Sequence, residues 1–225
     1  MIEIPTASFI EKFKSVNGAL SVCESIAIFN LAKQVPEKRP DGFQAQFCEL
    51  GTYKGKSAIS AAIGLPDGNF TLVDPEFSDE KWRTEVYTLF KNIFDIKVRI
   101  SCCEMFSIDF IPTIDKQEFP PVREYSYVFV DSGSHQGGLP MQEVKLLEDR
   151  MVKGGIIAFH DWNSQFVEVK EASDYLVGTG KYEYIPIDWE AIVKYVSEND
   201  LEKGNQSWHH TEMDFPCFVG AVRRK

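Results

Sequence analysis

Five places along the chain put ligand-holding or reactive side chains directly after a short apolar run. They are Glu49-Leu50-Gly51-Thr52-Tyr53-Lys54-Gly55-Lys56-Ser57, then Asp74, then Cys103-Glu104, then Asp131 to His135, and finally His160-Asp161. Glycines at 51 and 55 let the backbone approach a ligand closely, and a helix opening after them offers free N–H groups to a carboxylate or phosphate. Asp74 follows Gly51 by 23 residues at the end of the next run, where a carboxylate takes both hydroxyls of a ribose. Together these features point to a cofactor that contains a nucleoside.

The elements that must position these residues are legible in the same stretch. β-like runs at Ala45 to Leu50, Phe70 to Val73, Val98 to Cys102, Tyr125 to Val130 and Gly155 to Phe159 alternate with helical spacing at Lys56 to Ile63, Asp79 to Phe94 and Leu139 to Met151. Strand and helix in alternation predict an α/β fold with a mostly parallel, Rossmann-like sheet covered on both faces. In such a sheet ligands sit at the carboxyl ends of the strands, which is where the five places fall. Before the first strand, Thr6 to Val16 and Ser21 to Lys33 read as helices, the second opening on Ser21 and Glu24 at capping-box spacing. Pro36 and Pro40 close this region, so residues 1–40 are expected to form an N-terminal helical extension or cap and residues 41–225 the main domain. Ser164 to Val177 is a further expected helix. Lys181 to Ile187 and Cys217 to Arg223 are expected as two last strands, with residues 188–216 as an insert long enough to cover a site.

Which nucleoside is decided by spacing. A dinucleotide fingerprint would need glycines where Tyr53 and Lys56 stand. Gly55-Lys56-Ser57 matches the end of a phosphate-binding loop, and Tyr125 to Asp131 matches the strand that would hold its metal. The loop, however, needs four residues before Gly-Lys-Ser and Gly51 leaves three, so a nucleotide hydrolase is the minor alternative.

Glu49-Leu50-Gly51-x-Tyr53-x-Gly55-x-Ser57-Ala58 resembles the first motif of class I S-adenosylmethionine-dependent methyltransferases, notably the catechol and caffeoyl-CoA O-methyltransferases. The second half, with Phe129-Val130-Asp131, His135 and Gly154-Gly155-Ile156-Ile157-Ala158-Phe159-His160-Asp161, is similar to the group related to macrocin O-methyltransferase and cephalosporin hydroxylase. The resemblance spans about residues 44 to 163. It implies a seven-stranded sheet with an antiparallel last strand, S-adenosylmethionine as cofactor, and methyl transfer to the hydroxyl of a small molecule. It implies that Glu49 and Gly51 meet the methionine part, Tyr53 and Ser57 its carboxylate end, Asp74 the ribose, and Cys103 and Glu104 the adenine, with Asp131 also beside the cofactor. The resemblance to cephalosporin hydroxylase leaves a cofactor-binding protein without methyl transfer as the other reading.

In the catechol-type enzymes a divalent metal held by two Asp and one Asn chelates the acceptor oxygens. Asp131 and Asp161 match the two Asp, while Trp162 stands at the Asn position. Asn163 or His160 would have to complete the set. A ligand set of Asp131, His160 and Asp161 would favour Mn²⁺, Fe²⁺ or Zn²⁺ over Mg²⁺. His135 is the candidate base, because a neutral imidazole accepts a hydroxyl proton, and Asp131 is the second candidate catalytic residue. His209 and His210 read as a surface pair, and Trp189, Tyr195, Trp208 and Phe215 as core or as an apolar lid over the acceptor.

Composition agrees with a small neutral or cationic partner. The 225 residues include 24 basic and 34 acidic side chains, a formal charge of −10, which opposes nucleic acid and anionic membrane. No apolar run approaches the roughly 20 residues of a membrane span. Five cysteines, two of them adjacent and none in a C-x-x-C pair, read as reduced thiols of a cytoplasmic protein. A homo-oligomer is compatible with this reading.

Overall fold

The structure is a computed structural model that describes residues 2–36, 39, 42–116, 124–133, 137–162, 166–203 and 219–225. Seven strands form one sheet: β1 (Gln46–Leu50), β2 (Asn69–Val73), β3 (Arg99–Cys103), β4 (Tyr125–Val130), β5 (Met151–Phe159), β6 (Tyr182–Tyr184) and β7 (Gly220–Arg224). Their order is β3-β2-β1-β4-β5-β7-β6, and β7 alone runs against its neighbours. The chain winds outward from β1 to β3, returns to β4 beside β1, and winds out the other way. The carboxyl ends of β1 and β4 therefore flank a crevice at the point of reversal, the place where this topology leaves room for a ligand.

β1 and β4 are buried along their whole length, as strands covered on both faces must be. Side-chain alternation splits β1 between two cores. Phe47 joins the helices α1 (Ala7–Ser15), α2 (Val22–Ala32), α3 (Lys56–Gly64) and α8 (Trp189–Glu198), whereas Cys48 and Leu50 face α6 (Leu139–Leu147) and α7 (Val167–Gly178). Glu49 shares Phe47's side, which is why a residue of α3 can meet it. Phe47 and Tyr127 pack edge to face at 5.2 Å and 84°, a geometry worth about 0.5–1.5 kcal/mol beyond its burial.

The Ser21–Glu24 capping box forms in both directions. α2 is apolar on nearly every side because it lies inside the protein between α3 and the outer helices α1 and α8. Its close approach to α3 rests on Gly64, where a methyl group would sit 2.6 Å from the Phe29 carbonyl oxygen and 2.7 Å from Ala32 Cβ. Gly64→Ala is expected to destabilise the protein by about 1–3 kcal/mol through overpacking. A melting temperature lowered by about 2–12 °C would register it.

Three elements depart from the sequence expectation. β5 begins at Met151 rather than Gly155, because the Gly154-Gly155 pair is a bend within the strand, with Gly154 at φ 78, and the β4–β5 register shifts beside it. α6 correspondingly stops at Leu147. The helix expected over 79–94 is α4 (Glu80–Thr88) closed by a wider π turn at Leu89–Ile93. The last expected strand, Cys217 to Arg223, is β7 from Gly220 to Arg224; Cys217 and Phe218 lie outside the described residues. Residues 189–198 of the expected insert are helical and bury Ile192 and Val196 in the core shared with α2. Cys23, Cys48, Cys102 and Cys103 are free thiols, and no described helix is long and apolar enough to cross a membrane.

Candidate functional site

A cavity of about 620 Å³ opens at the carboxyl ends of β1, β2, β4 and β5. Its wall includes Gly51, Tyr53, Asp74, Asp131, His160 and Asp161, six residues singled out by their position after the strands. Among the described residues four Asp side chains line it, at 74, 109, 131 and 161, and no Lys or Arg does.

The loop after β1 is built against its neighbours with no slack. Gly51 and Thr52 both donate their N–H groups to the Val73 carbonyl, at 2.9 and 3.3 Å. Tyr53 has φ 46 and donates its N–H to Asp74 Oδ2 at 2.7 Å, while Glu76 N–H donates to Oδ1 at 2.9 Å. Asp74 is thus pinned by two backbone donors, and it lines the cavity. Gly51 (φ 84) lies so close to the end of β4 that a methyl group there would be 2.3 Å from the Asp131 carbonyl oxygen. These N–H groups are spent on the sheet and on Asp74 rather than left for an anion.

Glu49 and Ser57 sit behind this loop and do not line the cavity. Ser57 Oγ donates to Glu49 Oε1. The Glu49 carboxyl, 0% exposed, is pushed up to about 8 by burial, against the Ser57 hydrogen bond and with the Asp131 charge adding to the rise. Lys56 does not reach the cavity either: its ammonium lies over the Phe13 ring at 4.4 Å and burial lowers its pKa to about 8. A phosphate-binding lysine must point into the site, so the nucleotide-hydrolase alternative loses its central residue.

Cys103 and Glu104 are likewise absent from the wall. The Cys103 carbonyl accepts from Asp74 and Met105, each at 3.1 Å, and the chain then turns so that Met105, Phe106, Ser107, Ile108 and Asp109 form the lining. Phe106 is 63% exposed at this edge. In the sequence the signal for this edge is the aromatic residue three positions after the end of β3, beyond the polar pair. Below the cavity, Ser107 Oγ donates to Ser132 Oγ at 3.4 Å and Ser132 Oγ to buried Glu143 Oε1, tying the loop after β4 to α6.

At the other end, His160 is 3% exposed and is surrounded by carboxylates. Its Nδ1 lies 3.1 Å from Asp131 Oδ1 and 3.5 Å from Asp161 Oδ2, and its Nε2 lies 3.4 Å from Glu24 Oε1. Burial alone would lower the imidazole pKa, but the Asp131 and Glu24 charges and the hydrogen bonds to Asp131 and Asp161 hold it well above its ordinary value. Glu24 was legible only as a capping residue; its Oε2 does accept from Ser21 N–H at 2.8 Å, while Oε1 reaches the site. Asp161 is held at φ 56, a conformation non-glycine residues seldom adopt and one that clusters at functional sites.

The residues expected as a metal set, Asp131, His160 and Asp161, come together here, with Nδ1 of the imidazole facing the two Asp carboxylates and Nε2 facing Glu24. Among the described residues no group of three His, Cys, Asp or Glu has the spacing to hold an ion. His135, Asn163, His209, His210, Trp208 and Phe215 lie outside the described residues. Trp189 and Tyr195 of α8 pack against the core rather than in the cavity wall.

The sheet order and the crevice with Asp74 after β2 define a class I methyltransferase fold. A family model described as a methyltransferase domain matches residues 48–162, just over half of the chain, and the protein belongs to that family. No curated protein matches. Among solved structures, the SAH-bound Podospora anserina methyltransferase PaMTH1 aligns with 100% of this chain and 90% of its own, at 15% identity and a TM-score of 0.58. An rRNA methylase from Streptococcus thermophilus covers 89% of this chain and 95% of its own, at 11% identity and 0.53. A precorrin-6y C5,15-methyltransferase from Geobacter metallireducens covers 90% and 89%, at 12% identity and 0.50. These likenesses are of fold and do not select an acceptor.

Proposed function

We propose that the protein transfers the methyl group of S-adenosylmethionine to a hydroxyl of a small molecule. The observation that carries this reading is a single cavity with a pinned ribose-type carboxylate, Asp74, at one end and Asp131 at the other. The ribose would lie on Asp74 and the adenine against Met105 and Phe106, with Asp109 as acceptor for its amino group. The methionine part would run along Gly51 and Tyr53 towards Asp131, with Glu49 and Ser57 supporting that loop from behind. SAH bound in PaMTH1 supports the choice of cofactor.

In the reaction the acceptor oxygen forms a bond to the methyl carbon as the carbon–sulfur bond breaks, and the sulfonium becomes a neutral thioether. Asp131 accepts the hydroxyl proton, a role that His135 would share if its loop brings it near. Alignment of the oxygen behind the methyl supplies most of the acceleration and the base about 10²–10⁴-fold. The acidic wall suits a sulfonium and disfavours a phosphate-rich acceptor. Structural relatives described as rRNA methylases speak for an RNA acceptor, which the same wall opposes.

Calorimetry with SAH and with ATP tests the cofactor, binding of SAH alone being the expected result. Asp74→Ala should weaken SAH by about 1–3 kcal/mol, roughly 5- to 150-fold; unchanged affinity would move the cofactor elsewhere. Labelled S-adenosylmethionine offered with hydroxylated small molecules and, separately, with total RNA decides the acceptor class. Label in RNA alone would reject the proposal.

A further inference from the structure

We propose that one face of α4, carried by Trp82 and Glu85, is a positioning clamp for the loop after β1 and sets cofactor affinity without touching the cofactor. Tyr53 is the strained residue of that loop. Its φ of 46 is a conformation that non-glycine residues seldom keep unless their surroundings impose it. Held so, Tyr53 lines the cavity and donates its N–H to Asp74 Oδ2 at 2.7 Å. The surroundings that impose it come from α4. The Trp82 ring lies 5.1 Å from the Tyr53 ring, at 57° to it. Lys54 Nζ stands 3.8 Å from the Trp82 ring centroid and donates to Glu85 Oε2 at 2.7 Å. Trp82 and Glu85 are three residues apart and so share a face of the helix. A Cβ on Gly55 would stand 3.5 Å from Val86 Cγ1, so the next loop residue rests on the same helix.

The successive residues Tyr53, Lys54 and Gly55 thus meet Trp82, Glu85 and Val86 in turn. The ion pair is the smaller contribution, because the Lys54 and Glu85 side chains are 25% and 42% exposed and water screens their attraction. Trp82 is the larger one, since it meets both the Tyr53 ring and the Lys54 ammonium. Neither Trp82 nor Glu85 lines the cavity. Their effect passes through population: a loop that spends about a tenth of its time in the binding conformation holds its ligand about ten-fold more weakly.

The consequence for affinity rests on the S-adenosylmethionine reading, whereas the clamp itself is tested without any ligand. Hydrogen exchange of the Tyr53 N–H, followed by NMR in the full-length protein, should be about ten-fold faster in Trp82→Ala than in wild type. The Asp131 N–H, bonded to the Leu50 carbonyl at 2.9 Å, should keep its rate. Trp82→Phe, which retains a ring, should restore slow exchange at Tyr53. An unchanged Tyr53 rate, or a parallel rise at Asp131, would mean that Trp82 only stabilises the fold and would overturn the proposal. Calorimetry with SAH is the second measurement, in which Trp82→Ala should bind about ten-fold more weakly and Trp82→Phe close to wild type. Tyr53→Gly separates a clamp from ordinary packing, because glycine takes a positive φ without strain. In that background Trp82→Ala should weaken SAH by less than about two-fold; equal losses in both backgrounds would also overturn the proposal. Wild type that fails to bind SAH rejects the proposed function instead, and the exchange rates still decide the clamp.

Discussion

Gly51→Ala should abolish SAH binding and destabilise the fold by about 2–6 kcal/mol. Two costs add at this position. The φ of 84 lies in the left-handed region, where an alanine is strained by about 1–3 kcal/mol. The new methyl would also stand 2.3 Å from the Asp131 carbonyl oxygen and 2.7 Å from Ser132 Cα, both backbone atoms that cannot rotate away. Overpacking of that kind costs about 1–3 kcal/mol again. Relief requires the β1 loop to part from the end of β4, which separates Asp74 and Tyr53 from Asp131. Gly178→Ala is the control, since a methyl there meets nothing within 4 Å; it should stay within about 0.5 kcal/mol of wild type. Urea unfolding and SAH calorimetry on the two variants decide the matter, and a Gly51→Ala protein that binds SAH normally would contradict the close approach.

The second large effect is a pH dependence of stability centred on Glu49. Its carboxyl titrates near 4.5 when the chain is unfolded and about 8 when buried in the folded protein. Between those values the folded state keeps a proton that the unfolded chain has released, so the unfolded state binds fewer protons. Stability from this group is complete below about pH 4.5, falls as pH rises, and levels off above about 8. The total is on the order of a few kcal/mol. Glu49→Gln, which keeps an oxygen for the Ser57 hydroxyl, should remove this slope. The difference in unfolding free energy between variant and wild type should therefore grow in the variant's favour from pH 5 to pH 9. A constant difference would mean that Glu49 is ionised throughout.

Much of the fold could be read directly because its strands carry unambiguous signals. Tyr125 to Val130 is an uninterrupted apolar run ending in Asp, and such a run is what burial on both faces demands. Gly154-Gly155 misled because glycine pairs usually mark turns, whereas here β5 continues through them. For the site, Asp74, Asp131 and Asp161 were legible because the position after a strand places a residue at the crevice in any sheet of this type. Glu49 and Ser57 belong to the same motif, yet alternation along β1 turns Glu49 to the α3 side, away from the cavity. Glu24 could not be read as a site residue at all: 136 positions separate it from His160, and only the packing of α2 brings them together. Local pattern shows what a residue does for its own helix, and Glu24 does that too.

The core that unites α1, α2 and α8 with one face of the sheet separates two boundaries that are commonly treated as the same. Similarity to the methyltransferase domain family covers residues 48–162. The cooperative unit is larger, because Phe13, Ile26 and Ile28 share a core with Phe47, Phe129 and Ile156. Inheritance and folding have therefore drawn different outlines on this chain. The segment by which it is recognised as kin would, cut out alone, keep α3 and α4 on that side of the sheet but lose α1, α2 and α8 from the core they share.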